Sequence, residues 1–175
     1  MALEGDRVAA TLDAGEIQTI RAIVPDLYRY ASRLTGGDRW LAEDLVQEAC
    51  LAMVRQRQAQ PTYEFTVGWF VVVVRRRFLD QLRKARREDR RLALADEGDL
   101  AAEDADWGAV SGADAMTLLA ELPADQRVAL VFRYLDDLPV QEVADLMERS
   151  LAATESLLAR GRRQLARRVK GGRDG

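Results

Sequence analysis

Apolar residues recur every three or four positions along most of the chain, a spacing that predicts α-helices. The first such run covers residues 17–34 and contains Pro25, so this helix either starts or bends at the proline. The Gly36–Gly37 pair ends the run, and Asp38 is placed to cap the next helix.

The second predicted helix has two distinct faces. Its buried stripe consists of Leu41, Leu45, Ala49, Ala52 and Met53. A different face at the same helical spacing carries Asp44, Gln47, Glu48 and Leu51. Residues 58–66, which include Pro61, predict the loop that follows this helix.

The segment Trp69–Val74 is compatible with a strand or a helix. Its four consecutive valines favour a strand. A helical period nevertheless continues through Phe78 and Leu82 into a stretch rich in arginine, a good helix former. A helix from about Thr66 to Arg91 accounts for both halves and is therefore our prediction.

The C-terminal part of the chain predicts a helix-turn-helix. A helix whose apolar stripe contains Val128, Val131, Phe132 and Leu135 comes first. A short helix from Pro139 to Met147, a three-residue turn and a long helix from Leu151 to about Val169 follow, and Ser150 is a suitable N-cap for the last. In such a motif the second helix enters the major groove of DNA. The apolar positions expected to close its core are Val143, Leu146, Leu151, Leu158 and Leu165.

These elements predict an all-α protein of two small helical domains joined by an acidic linker. Residues 1–91 form the N-terminal domain, residues 92–112 the linker and residues 113–175 the helix-turn-helix domain. The linker has no sustained apolar period, and a segment of this length without a predicted helix or strand usually separates domains. The length of 175 residues suits two small domains.

Composition excludes several kinds of site. The chain has no histidine, so it lacks the commonest general base and zinc ligand. Cys50 is the single cysteine and cannot form an internal disulfide or a cysteine-based metal site. There is no glycine-rich phosphate loop and no nucleophile with a paired base. We therefore expect no cofactor, no metal and no enzymatic activity.

The chain is also expected to remain in the cytoplasm. Residues 1–20 carry several charges and no apolar core of a secretory signal. The longest dense apolar run has six residues, whereas a membrane-spanning helix needs about 20. A single cysteine fits a reducing compartment.

Charge is strongly segregated along the chain, although the net charge is only −3. Residues 75–91 have a net charge of +6, residues 96–114 of −7 and residues 160–173 of +7. Blocks of one sign usually mark interaction surfaces or solvated tails. The overall sum therefore conceals two basic segments that could face nucleic acid.

Four motifs, in this order, resemble the extracytoplasmic-function (ECF) sigma factors of bacterial RNA polymerase. They are Ala42–Glu48, Trp69–Arg83, Leu122–Arg127 and Tyr134–Ala144, and the resemblance runs from about Val24 to Arg168. It implies a subunit that recruits core polymerase to promoters and helps open the DNA, often in response to stress. The implied partners are the clamp of the largest core subunit, the flap of the second-largest subunit, promoter DNA and, as in many relatives, an anti-sigma factor.

The resemblance assigns roles to three groups of residues. Asp44, Gln47 and Glu48 correspond to the clamp-binding face. The minus-ten surface corresponds to Tyr63, Phe65, Arg75, Arg76, Arg77, Arg83, Arg86 and Arg87. The minus-thirty-five surface corresponds to Ser150, Ala152, Ala153, Glu155, Ser156, Arg160, Arg162 and Arg163.

Physical chemistry supports these assignments while leaving alternatives open. Carboxylates can pair with arginines of a partner helix, and arginines can neutralise phosphates. Tyr63 and Phe65 can stack on an unstacked base or pack within the domain, whereas Trp69 and Phe70 are expected in the core.

Five residues depart from the family pattern. Arg76 stands where the family usually has asparagine, and Glu155 and Leu157 stand where basic residues are common. Met147–Glu148 replaces the glycine usual near the turn. The promoter preference is therefore expected to be unusual.

Two other readings of the sequence remain. A free-standing helix-turn-helix regulator would bind duplex DNA without polymerase and would not need the polar face of the second helix. A helical adaptor without a nucleic-acid role would bind its partner independently of salt.

Overall fold

The structure is a computed structural model that describes residues 13–89 and 112–171. Regular elements within these ranges are helical: α1 (Ala14–Thr35), α2 (Arg39–Ala59), α3 (Val67–Asp89), α4 (Gly112–Ala120), α5 (Ala124–Leu130), α6 (Val140–Met147) and α7 (Leu151–Gly171). A π-helical turn, Val131–Leu135, continues α5. The all-α fold is thus confirmed. The predicted acidic linker, residues 92–112, lies outside the described residues except for its last position.

The predicted starts of α2 and α3 rest on side-chain caps. The carboxylate of Asp38 accepts a hydrogen bond from the backbone N–H of Leu41 at 3.1 Å. The hydroxyl of Thr66 accepts one from the backbone N–H of Trp69 at 3.2 Å. Each bond satisfies an N–H that has no partner inside its own helix. α1 runs through Pro25 without a break, so the proline does not start it.

The valine-rich segment is helical. Of its four valines, Val74 is fully buried and Val72 is 55% exposed. A helix sends successive side chains in different directions, so a run of valines does not need a sheet. The buried face of α3 continues through Phe78 and Leu79.

The chain divides into two compact units. Of the described residues, the first unit comprises 13–32 and 38–81, and the second comprises 33–37, 82–89 and 112–171. The core of the first unit is supplied by α1, α2 and the start of α3. Its buried residues include Leu27, Ala31, Leu45, Ala49, Met53, Phe70 and Val74.

In the second unit α7 packs against α4, α5 and α6. The core there includes Val128, Phe132, Val143, Met147, Leu158 and Leu165. Two leucines that the sequence predicted to be buried in this core are exposed: Leu135 at 48% and Leu151 at 42%. Leu151 is the first residue of α7, and Thr154, Leu157 and Ala159 fill the core from the next turns.

The π-helical turn explains the exposure of Leu135. The N–H of Asp136 donates to the carbonyl of Val131 at 3.1 Å, a step of five residues instead of four. Because this turn holds more residues than an α-helical one, side chains at its end, including Leu135, no longer follow the regular helical stripe. The regular spacing that predicted a buried Leu135 is broken at this point.

Candidate protein and nucleic-acid interfaces

The predicted partner-binding face lies on the surface of α2. Asp44 and Gln47 are exposed, and Glu48 is half-buried. Gln81 donates a hydrogen bond from its amide to the Asp44 carboxylate at 3.3 Å, and Arg77 forms an ion pair with Glu48 at 3.3 Å. The two acids of this face are therefore bonded to α3 within the first unit.

The basic helix α3 carries its predicted arginines in two groups. Arg76 and Arg77 are exposed and Arg75 is half-buried in the first unit. Towards the C-terminal end of α3, Arg83 and Arg86 are half-buried and Arg87 is exposed. None of the six is fully buried.

Two of these arginines bind within the second unit. Arg83 donates to the carbonyl of Leu146 at 2.9 Å and pairs with Glu148 at 3.1 Å. Arg86 donates from Nε to the Asp125 carboxylate at 2.9 Å, and the same carboxylate pairs with Arg149. Like Arg77, these two arginines are therefore already paired to carboxylates.

The motif Leu122–Arg127 contributes to the family resemblance, but the sequence assigned no role to its charged residues. Asp125 bridges two guanidinium groups, as described above. The Arg127 guanidinium is buried, 8% exposed, and its burial lowers the pKa of the group. It donates to the carbonyls of Leu34 at 2.9 Å and Leu122 at 3.0 Å. Only the presence of this motif could have drawn attention to Arg127, because helical spacing does not predict an arginine that is buried among carbonyls.

The predicted stacking residues belong to an aromatic cluster, which comprises Tyr63, Phe65, Trp69 and Phe70. The ring of Phe65 lies 5.0 Å from that of Tyr63 and 5.0 Å from that of Trp69, measured between centroids. Trp69 meets Phe70 edge to face at 5.1 Å. Phe70 is buried as predicted, whereas Trp69 is half-buried at the edge of the core.

Arg57 on α2 was not singled out from the sequence, yet it joins this cluster to α1. Its guanidinium carbon lies 5.0 Å from the centroid of the Phe65 ring. It also forms an ion pair with Glu16 and donates to the carbonyl of Pro61. A lone arginine near the end of an amphipathic helix gives no sequence signal for such a role.

The start of α7 presents the predicted base-reading positions. Ser150 caps the helix, since its hydroxyl accepts from the N–H of Ala153 at 3.2 Å. Ala152 and Glu155 are exposed, and Ala153 and Ser156 are half-buried, so this end of the helix is accessible as expected. Leu157, where the family often has a basic residue, is buried.

The arginines further along α7 are half-buried. Arg160 donates from Nε to the carbonyl of Ser156 at 3.4 Å, and Arg162 donates to the hydroxyl of Tyr134 at 3.0 Å. Arg163 lies on the same helix with similar exposure. The structure thus holds Arg160 and Arg162 along the surface of the second unit.

The described residues provide neither a metal site nor a membrane-spanning helix. They contain no group of acidic or cysteine side chains that could hold a metal ion. In the same part of the chain, no helix has the length and apolarity required to span a bilayer. Burial raises the pKa of the Cys50 thiol, which disfavours its reactive thiolate form.

The fold and these surfaces define a two-unit helical protein with an arginine-rich helix, α3, and a C-terminal helix-turn-helix. The family model described as Sigma-70 region 2 matches residues 19–88, and the one described as Sigma-70, region 4 matches residues 113–165. ECF RNA polymerase sigma factor SigM of Bacillus subtilis is 30% identical over 145 residues, which cover 80% of this chain and 86% of SigM. The chain belongs to the ECF RNA polymerase sigma factors.

Other relatives are longer. ECF sigma factor SigE of Mycolicibacterium smegmatis is 33% identical over 85% of this chain but 59% of its own length. SigJ of Mycobacterium tuberculosis is 35% identical over 85% of this chain and 49% of its own length. The chain therefore spans about half the length of these two relatives.

A solved structure shares the fold. The sigma factor RpoE of Bartonella quintana, crystallised in complex with the anti-sigma factor NepR, aligns with a TM-score of 0.53. The alignment covers 87% of this chain and 95% of RpoE at 23% identity, a level that establishes similarity of fold alone.

Proposed function

We propose that this protein is a promoter-specificity subunit that binds core RNA polymerase, directs it to particular promoters and helps to open the DNA. The observation that carries the proposal is the presence of both sigma regions, in order, in one chain whose helices present an acidic face and a basic helix. The polymerase supplies the chemistry, so the protein has no catalytic step of its own. We place this activity in the cytoplasm.

Core binding is assigned to the face of α2 formed by Asp44, Gln47 and Glu48. Two carboxylates and an amide on one helical surface can accept charge-assisted hydrogen bonds from arginines of the polymerase clamp. Glu48 already forms an ion pair with Arg77, and Asp44 already accepts a hydrogen bond from Gln81. Arginines of the clamp would therefore replace these bonds or share the same carboxylates.

Asp44→Arg tests this assignment. The reversed charge should reduce core binding at least about tenfold, since like charges at an interface cost several kcal/mol. The reduction is measured by native gel or fluorescence anisotropy with purified core enzyme. Asp26→Arg, an equally charged change at an exposed position of α1, is the matched control and should bind normally. Normal core binding by Asp44→Arg would contradict the assignment.

Promoter recognition is assigned to two regions. The arginines of α3, with the loop that contains Tyr63 and Phe65, contact the melted minus-ten strand. The exposed start of α7 reads the minus-thirty-five element in the major groove, where Glu155 can accept from a cytosine amino group. The second unit also carries the contact to the polymerase flap.

Run-off transcription on a genomic fragment library, with core enzyme and this protein, tests the whole proposal. Discrete transcripts that require the protein are the expected result, and their start sites define its promoters. Tight, specific binding to naked duplex DNA without any stimulation of transcription would favour a free-standing regulator instead.

An anti-sigma factor is a further proposed partner. Support comes from the RpoE–NepR complex, in which a protein of the same fold is bound by such a factor. Suppression of the run-off signal by a co-expressed candidate protein, with recovery after its removal, is the corresponding test.

A further inference from the structure

Three neighbouring side chains form the accessible face of the first turns of α7. Leu151 is 42% exposed, and Ala152 and Glu155 are exposed as well. Glu155 follows the other two by four and three residues, so all three lie on one side of the helix. Thr154 points the other way, since it is fully buried and its hydroxyl donates to the carbonyl of Ser150 at 3.1 Å. We call Leu151, Ala152 and Glu155 the reading face.

Leu151 is an apolar side chain that the core does not use. The sequence predicted it to close the core of the helix-turn-helix, but Thr154, Leu157 and Leu158 are the buried residues of these turns. Residues at the start of the second helix of such a motif contact base edges in the major groove. The apolar group that the major groove offers there is the 5-methyl of thymine. An exposed leucine at this place therefore fits a thymine.

Glu155 brings an acceptor to the same face. In the part of the chain that the structure describes, its carboxylate has no hydrogen bond or ion pair. An ionised carboxylate can only accept, so it fits an amino group and is repelled by the acceptors of guanine and thymine. Adenine also has an amino group, but its N7 acceptor lies beside it, whereas cytosine has no such neighbour. Glu155 therefore favours cytosine.

The arginines of α7 are turned along the second unit. Arg160 donates to the carbonyl of Ser156 at 3.4 Å, Arg162 donates to the hydroxyl of Tyr134 at 3.0 Å, and Arg168 pairs with Glu121 at 2.7 Å. Even Arg160 lies more than one helical turn beyond Glu155. The reading face itself holds no guanidinium, the group that binds guanine through two hydrogen bonds. These arginines therefore suit phosphates, which position a protein on DNA without reading sequence.

We propose that this protein recognises its minus-thirty-five element as a cytosine close to a thymine, and not as a guanine bound by arginine. Glu155 accepts a hydrogen bond from the N4 amino group of the cytosine, and Leu151 covers the thymine methyl. Four residues of helix rise about 6 Å, so the two bases lie one or two base-pair steps of about 3.4 Å apart. The inference rests on the proposed sigma function and specifies the DNA sequence that its second unit prefers.

The test uses holoenzyme assembled from core polymerase and the full chain. The probe is a fluorescent duplex of a promoter recovered by run-off transcription, in which each base pair of the minus-thirty-five element is replaced in turn by the other three. Fluorescence anisotropy gives the affinity for each duplex. We expect one C·G position at which replacement by G·C weakens binding about tenfold.

Variants of Glu155 should change which base is preferred at that position. The amide of Glu155→Gln can both donate to N7 and accept from the amino group of adenine, so the preference should move from cytosine to adenine. Glu155→Arg should move it to guanine. Glu142→Gln removes the same charge at an exposed position of α6 and should keep the preference for cytosine. A preference that neither Glu155 variant alters would overturn the assignment of Glu155.

Deoxyuridine, which lacks the 5-methyl group of thymine, tests Leu151. Replacing the contacted thymine by deoxyuridine should weaken binding of the unchanged protein several-fold. Leu151→Ala should lose most of this difference, because its shorter side chain no longer covers the methyl group. Leu135→Ala changes another exposed leucine of the second unit and should retain the difference. An undiminished difference in Leu151→Ala would overturn the thymine contact.

Failure of this inference can be told apart from failure of the sigma function. Transcripts that require the protein, from promoters at which the unchanged holoenzyme prefers guanine or adenine at the position that responds to Glu155, would overturn the cytosine assignment and leave the sigma function intact. Absence of any protein-dependent transcript would overturn the proposed function, and this inference with it.

Discussion

At the scale of single residues, the turn of the helix-turn-helix contains a side chain in a backbone conformation that usually selects glycine. Glu148 ends α6 with φ of 53° and ψ of 46°, in the left-handed region. Glu148 also stands near a position where ECF sigma factors commonly have glycine. A side chain at such an angle crowds the neighbouring carbonyl and costs about 1 kcal/mol.

Glu148→Gly should therefore raise the free energy of unfolding by about 0.5–1 kcal/mol, because glycine adopts this conformation without the steric cost. The ion pair with Arg83 is lost, but the Glu148 side chain is 63% exposed and an exposed pair contributes little. Chemical denaturation measures the change. Glu148→Ala, which loses the same ion pair and keeps the strained angle, is the control. Equal midpoints for the two variants would refute the backbone explanation.

At the scale of the elements, one buried arginine joins the ends of two helices. Leu34 lies in the last turn of α1, and Leu119 and Ala120 lie in the last turn of α4, where carbonyls lack partners within the helix. Arg127 donates to Leu34 at 2.9 Å and, more weakly, to Leu119 and Ala120, each at 3.4 Å. Arg127 thus serves as a shared C-terminal cap, which explains why a charged group is stable where it is 8% exposed.

Arg127→Lys should lower the stability of the second unit by about 2 kcal/mol, because an ammonium group cannot reach both helix ends and leaves buried carbonyls unpaired.

Gly36→Ala should also destabilise the second unit, because the added methyl group would collide with the Arg127 guanidinium. A Cβ there would lie 2.3 Å from Nη1 of Arg127, and the position has φ of +70°. Gly37, with φ of +85° but open space around its Cβ, supplies the matched control through Gly37→Ala. A smaller loss in Gly36→Ala than in Gly37→Ala would contradict the role of the Arg127 contact.

At the level of the whole molecule, the net charge and the paired arginines predict how strongly the free protein would bind DNA. The chain has a net charge of −3, so long-range attraction to duplex DNA is weak. Arg77, Arg83 and Arg86 are in addition paired to carboxylates. We therefore expect the free protein to bind promoter duplex weakly and the holoenzyme to bind it tightly.

Arg87→Ala should reduce the slope of log affinity against log salt concentration by about one in the holoenzyme, as expected for the loss of one phosphate contact. Arg87 is exposed near the end of α3. Binding to a recovered promoter over a series of salt concentrations gives the slope. Arg55→Ala, which removes an exposed charge from α2, should leave it unchanged. A slope unaffected by Arg87→Ala would exclude this residue from the phosphate-binding surface.

The helical class, the cap at Asp38 and the helix through the valine run could be predicted from the sequence. These features depend on local spacing and on side-chain bonds to nearby backbone groups, which the sequence displays directly. It also supported membership of the sigma family through four motifs in order. The roles assigned to the individual interface residues remain predictions.

The contacts between charged and aromatic groups could be known only from the tertiary structure. The exposure of Leu135 depends on a π-helical turn, and the partners of Arg57 and Arg127 come from elements distant in sequence. Helical spacing gives the direction of a side chain on its own helix but not the group that faces it. The physical reason is that such contacts depend on how helices pack, so neither the capping by Arg127 nor the contact between Arg57 and the Phe65 ring could be obtained from local patterns.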